Sequence, residues 1–427
     1  MALSSRYTEK FDQALSVGRP PNIRKLFPNS RALIVSGKVI DRAMISKGKA
    51  MTIAANGRNR SVIRGALKAA QQAGAAIILE IAKSECTYCP TNFWNLAMQA
   101  DQAMNELGIT VPVAIHADHY GIKNRADVDA ALDEIPTLFE AGITSIAIDA
   151  SHLPDADNLL ANLELAPLIP KWAGYETEVG EIKGKAGLST PEEALFLIRG
   201  LNAYSLYPDW IALNNGTTHG IEESDTGISV PLTAEIHEAL ASFGVSGAQH
   251  GTSGNNSDRL RDIAANTKTT KANVATALQM ISWGVSVNDY GNAVFNRSGD
   301  FDKVEGKGVT ARIWERMTTY AQKQGWNGGG YKKLNLPFEN AVLGQPEKVR
   351  QRMEDGVQRF VHHLLVDVFN AEDTAETALD IILRAESFDL GPKASTLEDP
   401  LQWTEKKIRE RAATLDTDKG PQGDYDD

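Results

Sequence analysis

A closed (β/α)8 barrel of the TIM type, carrying additional C-terminal helices, is the α/β fold this sequence predicts, and three observations predict it. Strand-like and helix-like stretches alternate eight times between residues 50 and 289, which is close to the usual barrel size of about 250 residues. The turn after the first strand, NGRNRS, holds no G-x-G-x-x-G, which argues against a doubly wound dinucleotide-binding sheet. Five of the eight histidines, His116, His119, His152, His219 and His250, stand at or just past the ends of short apolar runs. In a barrel those strand ends converge on one mouth.

Residues 1 to 45 read as a polar, weakly helical lead-in broken at Pro20 and Pro21. AMTIAAN (50–56) is the first core strand, and SVIRGALKAAQQAG follows as an amphipathic helix stopped by Gly74. AAIILEI is strand two, NFWNLAMQADQAMNELG a helix, and VPVAIH strand three. The next helix is predicted to kink near Pro136. ITSIAID is strand four and YETEVG strand five. TPEEALFLIRGLNAY begins at a Thr190 cap with Pro191 in the first helical position. DWIALN and GVSGAQ supply strands six and seven; SDRLRDIAAN and KANVATALQMISWG read as helices, and GVSVND (284–289) as strand eight. A barrel domain is therefore expected over 1–300. Beyond it, residues 301–415 read as a helical extension whose stripe of Val349, Met353, Val357, Phe360, Val361 and Leu364 packs on the barrel wall or a twin subunit. Residues 416–427 are acidic and expected to be disordered.

With 42% hydrophobic and 23% charged residues the composition is that of an ordinary globular chain. No apolar run reaches the roughly 18 residues a bilayer span requires, and the start shows no signal-peptide pattern. Two cysteines, Cys86 and Cys89, make no disulfide framework, so a cytoplasmic location is expected. A net charge of −11 argues against nucleic-acid and membrane partners. A single CxxC without a second pair is read as structural.

The strand ends assemble the candidate site. Strand three ends in His116, Asp118 and His119, strand four in Asp149, Ser151 and His152, strand five in Glu176 and Glu178 with Glu181 just beyond, and strands six and seven run into His219 and His250. Three imidazoles from three strands plus an open position suit catalytic zinc. Ionisable groups at core-adjacent positions are costly to desolvate unless paired or metal-bound.

In this order, IHADHYG, AIDASH, ETEVGEI, NNGTTHG and QHGTSG resemble the class II, metal-dependent fructose-bisphosphate aldolase family over about residues 50 to 295. The resemblance implies that His119, His219 and His250 hold a catalytic Zn2+, with Asp149 and Glu178 at a second, divalent or monovalent, cation site or supporting the first. It implies Asp118 as the acid–base group on the aldehyde-derived oxygen, and Gly220, Gly251, Thr252 and Ser253 as the phosphate cradle. The substrate would be a small phosphorylated ketose, cleaved through an enediolate to dihydroxyacetone phosphate and an aldehyde. The protein would be a homodimer or larger homo-oligomer. Three departures stand out. The acidic loop after strand five is shortened, leaving Glu181 as the available carbon-proton base. The family's strand-eight Asn-x-Asp-Thr-Asp is replaced by Ser286, Val287, Asn288, Asp289 and Tyr290, of which Ser286, Asn288 and Asp289 are read as substrate contacts. Phe338 occupies the position of the arginine that reads the far phosphate, with Lys332, Lys333 or Arg297 as substitutes. A metallohydrolase barrel is disfavoured because AMTIAANG carries no His-x-His. A non-catalytic metal- and sugar-phosphate-binding descendant is the other alternative.

Overall fold

The computed structural model describes residues 5–180, 187–216, 227–252, 254–289 and 291–415. Eight parallel strands close in sequence order: β1 (Thr52–Asn56), β2 (Ile77–Ala82), β3 (Val113–Gly121), β4 (Ser145–Asp149), β5 (Gly174–Val179), β6 (Trp210–Leu213), β7 (Ser246–Gln249) and β8 (Thr269–Val274). All eight are almost wholly buried, which explains why they read as short continuous apolar runs rather than alternating ones.

Seven strands fall where the sequence places them; the eighth does not. GVSVND is not a barrel strand. Val285 and Val287 instead form antiparallel bridges with Lys303 and Ala293. The closing strand is TTKANV, whose last four residues the sequence reading puts at the start of the helix KANVATALQMISWG; Ala272, Val274, Ala277 and Leu278 do fit a helical stripe. Pairing decides otherwise: β8 bonds to β1 from Thr52↔Lys271 to Ala55↔Val274 and to β7 on its other side, and only this closure removes both sheet edges. The helical part starts later, at Thr276–Trp283. Pro136 lies inside the continuous helix Arg125–Glu140.

The lead-in plugs the N-terminal end of the barrel. Val35 donates its N–H to the Val113 carbonyl at 2.9 Å, and helix Gly37–Lys47 follows from a Ser36 cap. Gly37 and Gly174 leave room there for Trp210 and Ser145: a Cβ on Gly37 would stand 2.7 Å from the Ser145 Cβ. At the same end Trp210 Nε1 donates to Thr270 Oγ1 (2.8 Å), whose hydroxyl donates to Asp41 (2.7 Å).

Two apolar cores are present among the described residues. The main one runs from Phe11 to Ile408, while a smaller one gathers Met280, Trp283, Val285, Phe301, Ile313, Met317, Phe338 and Met353. Helix Glu347–His363 turns Val357 and Val361 into the main core and packs along helix Arg60–Ala73, while Met353 of the same stripe joins the smaller core. Gly65 allows that approach, because a Cβ there would be 2.6 Å from both the Glu354 carbonyl and the Val357 Cβ. Gly65→Ala is expected to lower unfolding stability by about 1–3 kcal/mol. An unchanged urea midpoint would show that the two helices are not in contact.

Candidate metal centre

A local distortion builds the centre of the site. Along β3, His116 and Asp118 point inward by strand alternation, which should send His119 outward to the helices. The β3–β4 register shifts between Ala117 and Tyr120, and His119 takes φ 40°, a left-handed conformation unusual for a residue with a Cβ. This bulge turns two successive side chains, Asp118 and His119, to the same interior. Such a conformation costs on the order of 1–3 kcal/mol, and its occurrence at a cluster of ionisable groups marks the segment as functional.

His119 meets three strands. Its Nδ1 lies 3.3 Å from Asp149 Oδ2 and 3.2 Å from Glu178 Oε1, and its ring stands 4.2 Å from that of His250, centroid to centroid. His250 is 1% exposed, and its Nε2–H donates to Glu176 Oε1 at 2.9 Å. That bond fixes the tautomer and leaves the Nδ1 lone pair facing Glu178 Oε2 at 3.6 Å, with no hydrogen bond among the described residues. Glu178 Oε1 likewise has no hydrogen-bond partner of proper geometry. A buried imidazole that donates through one nitrogen to a carboxylate and presents the other unbonded is the arrangement metal-ligating histidines adopt. Asp118, His119 and His250 bring ligand atoms within 4.8 Å of one another, as do His119, Asp149 and Glu178. The donor set, buried imidazoles and carboxylates, fits a divalent cation.

Beneath lies a charged floor that the sequence reading missed. Lys271 on β8 is 0% exposed, and its ammonium reaches Glu176 Oε2 at 2.8 Å, His116 Nε2 at 3.0 Å, and Asp118 Oδ1 and Glu80 Oε2 at 3.4 Å each. Asn273, two residues on, donates to Asp118 Oδ1 at 2.9 Å. Burial alone would raise the Asp118 carboxyl, but Lys271 overrides it, aided by the histidines, and holds the group well below the usual carboxylate range. Glu176 goes the same way: burial opposes ionisation, yet Lys271 and then His250 bring it down to about 2. Glu80 differs, since burial and then the Asp118 charge push it well above its ordinary value, Lys271 opposing them. Burial, reinforced by Lys271, lowers His116 to about 3, so its neutral ring accepts from Lys271 and donates Nδ1–H to Ser145 Oγ at 2.7 Å. Burial and then Asp149 raise Glu178, while Asp149 is lowered because His119 outweighs burial. The Ser151 N–H and hydroxyl both bond to Asp149 Oδ1.

A signal for the missed pair existed. Thr269, Thr270 and Val274 are β-branched, and Lys271 and Asn273 alternate with small residues, as an inward-facing strand requires. With β8 correctly placed, the strand-eight signature reads Asn273-Val274-Ala275-Thr276-Ala277. The asparagine and threonine are kept and alanines replace both acids.

The other candidates divide. Gly251 takes φ 58°, and Asn255 Nδ2 donates to its carbonyl. Thr252, Val274, Asn288 and Asp289 line one cleft of about 330 Å³ beside the ends of β7 and β8. Ser286 faces a different pocket. Glu181, His219, Gly220 and Ser253 lie outside the described residues, as do Tyr290 and the 416–427 tail. Phe338 is a buried member of the smaller core, edge-on to Tyr320 at 5.6 Å. Cys86 and Cys89 are free thiols near the buried Arg58–Glu85 ion pair; burial pushes Cys86 up to about 12 and Cys89 higher still, so neither is a ready nucleophile. Among the described residues no helix is long and apolar enough to cross a membrane.

A closed parallel barrel whose C-terminal mouth gathers buried histidines and carboxylates, with ligand atoms within 4.8 Å of one another, defines a (β/α)8 protein with groups able to hold a metal ion. The chain belongs to the class II fructose-bisphosphate aldolase family, whose sequence model matches residues 38–368. A fructose-bisphosphate aldolase of Staphylococcus aureus (strain Mu50) is 26% identical over 208 residues, which is 47% of this chain and 66% of that protein, so the match spans just under two thirds of the relative. One from Streptococcus pyogenes serotype M3 is 29% identical over 241 residues, covering 53% of this chain and 73% of its own length. The barrel also superposes on the YdjI aldolase of Escherichia coli K12 (TM-score 0.52, 16% identity, 80% of this chain and 99% of that one). The fructose-bisphosphate aldolase of Campylobacter jejuni superposes similarly (TM-score 0.52, 16% identity, 80% and 97%). At these identities the two structures speak for the fold alone.

Proposed function

We propose that this protein is a class II aldolase, a lyase that reversibly cleaves a ketose (bis)phosphate, with fructose 1,6-bisphosphate put forward as the substrate, to dihydroxyacetone phosphate and an aldehyde. The observation that carries this reading is the His119–His250 pair set among carboxylates, with the Nδ1 of His250 unbonded. Zinc is the ion assigned, held by His119, His250 and, from outside the described residues, His219; Asp149 and Glu178 are assigned to a second cation. When bound, the ion supplies Lewis-acid stabilisation of the negative charge that develops on the substrate's ketone oxygen.

The chain's own groups do the rest. Asp118 is held ionised by Lys271 and Asn273, both on Oδ1, which directs Oδ2 toward His119 Nε2 at 4.0 Å. In the cleavage direction this carboxylate takes the proton of the hydroxyl that becomes the aldehyde, and in synthesis it returns it. Glu181 is assigned the carbon proton. The backbone around Gly251 and Thr252, together with Gly220 and Ser253, is assigned the phosphate, because small residues let N–H groups approach an anion closely. Asn288 and Asp289 flank that cradle, with Ser286 beyond them. Assembly as a homodimer or larger homo-oligomer and a cytoplasmic setting complete the reading.

A second reading, an aldolase for a different phosphorylated ketose, is favoured by the burial of Phe338, which places a core side chain where the resemblance calls for an arginine. A cleavage screen over ketose mono- and bisphosphates, with and without EDTA, decides between them. Turnover that is absent with every ketose, or indifferent to EDTA, would sink both. Asp118→Ala is expected to lower kcat by about 10²–10⁴-fold while zinc content stays at the wild-type level. Loss of zinc in that variant would make Asp118 a ligand instead.

A further inference from the structure

On the flank of the barrel, at the C-terminal end of helix Thr276–Trp283, lies a pocket of about 340 Å³ of which the aldolase reading touches only Ser286. Its wall is unusual in charge. Lys307, Arg352 and Arg359 all line it, and among the described residues no carboxylate does. Arg352 and Arg359 stand seven residues apart on one face of helix Glu347–His363, with Gly356 between them. A Cβ at Gly356 would lie 3.3 Å from the Ile281 side chain, so the missing side chain sets the pocket floor between the two guanidiniums. Ser286 lines the same space.

Among the described residues none of the three cations is held in an ion pair. Arg352 is steadied by a bond from its Nε to the Gly308 carbonyl (2.6 Å), a neutral acceptor. Neither Lys307 nor Arg359 makes a side-chain hydrogen bond or ion pair among the described residues. The two acids nearest on the long helix point away: Glu354 pairs with Arg64 (2.8 Å) and Lys68 (2.5 Å), and Asp355 with Lys68 (3.7 Å). Close by, Lys303 is brought down to about 8, by burial first and then by the Arg352 charge, as expected in a field with excess positive charge. A pair of guanidiniums beside an ammonium matches the planar, multidentate geometry of phosphate oxygens. The volume falls within the range of small-molecule pockets, roughly 300–1,000 Å³.

We propose that this pocket is a second anion site, separate from the barrel mouth, that takes the phosphoryl group of a small phosphorylated metabolite. It stands whether or not the aldolase reading does, since its charged groups, Lys307, Arg352 and Arg359, line this pocket and not the mouth cleft, with which it shares only the apolar Val287 and Phe360. Calorimetric titration of the zinc-loaded full chain with inorganic phosphate and with a hexose monophosphate, with the unphosphorylated hexose as control, tests it. Lys307→Ala/Arg359→Ala is the variant to use: both residues lie outside the mouth and Arg352 keeps its structural bond, so circular dichroism and ketose cleavage should match wild type. One phosphate-binding event should vanish or weaken about tenfold or more. A hexose phosphate that binds more tightly than phosphate at the lost site identifies a metabolite pocket, and equal affinity identifies recognition of the phosphoryl group alone; both sustain the site. Unchanged phosphate stoichiometry and affinity in the double variant, or equal binding of the unphosphorylated hexose, would overturn it.

Discussion

His250→Ala is expected to abolish bound zinc and to lower ketose cleavage by about a thousandfold or more, the loss of several kcal/mol of Lewis-acid stabilisation. Two deficits combine in this variant. The Nδ1 that faces Glu178 is removed, and Glu176 Oε1 loses the Nε2–H that fixes it. Metal analysis after dialysis, alongside the cleavage assay, separates them from unfolding. His250→Gln is the control, because its amide N–H can still donate to Glu176 while its ligand capacity is poor. Zinc retained at full stoichiometry in His250→Ala would remove this imidazole from the metal shell.

Lys271→Met is expected to be the most destabilising single change in the barrel interior, by about 3–5 kcal/mol at pH 7, because it leaves buried charges without their counter-ion. Asp118 and Glu176 would face one another and Glu80 with no cation between them. The sign of the pH dependence follows from Glu176, lowered in the fold from 4.5 to about 2. In the wild-type protein its contribution is present above about pH 4.5 and disappears as pH falls through about 2. Without Lys271 the buried carboxylates protonate at higher pH. The deficit should therefore be largest near neutrality and narrow as the solution is acidified below about pH 5. Urea unfolding of metal-free wild type and variant between pH 4 and 8 reads this directly. A deficit that is constant with pH would mean lost packing and not lost charge.

Much of the site was open to a reader of the bare sequence because it repeats one rule: an apolar run followed by an ionisable residue. That rule located Asp118, His119, Asp149, Glu176, Glu178 and His250, and the structure brings these six together. It failed at strand eight for a definite reason. Lys271 and Asn273 lie among alanines whose spacing also suits a helix, and local pattern cannot separate the two when a strand is buried on both faces. The chain after residue 284 then offered a plausible substitute strand, which moved the expected substrate contacts onto Ser286, Asn288 and Asp289.

The sequence by itself determined the barrel class, the order of its strands up to the seventh, and the identities of the ionisable groups at the strand ends, because hydrophobic period and residue type are local properties. Only the tertiary structure decided which strand closes the barrel, that a bulge turns Asp118 and His119 to the same side, and that a wholly buried lysine sets the charge of the carboxylates around it. Those depend on backbone pairing between distant segments and on electrostatics in a desolvated interior, neither of which has a signature in neighbouring residues.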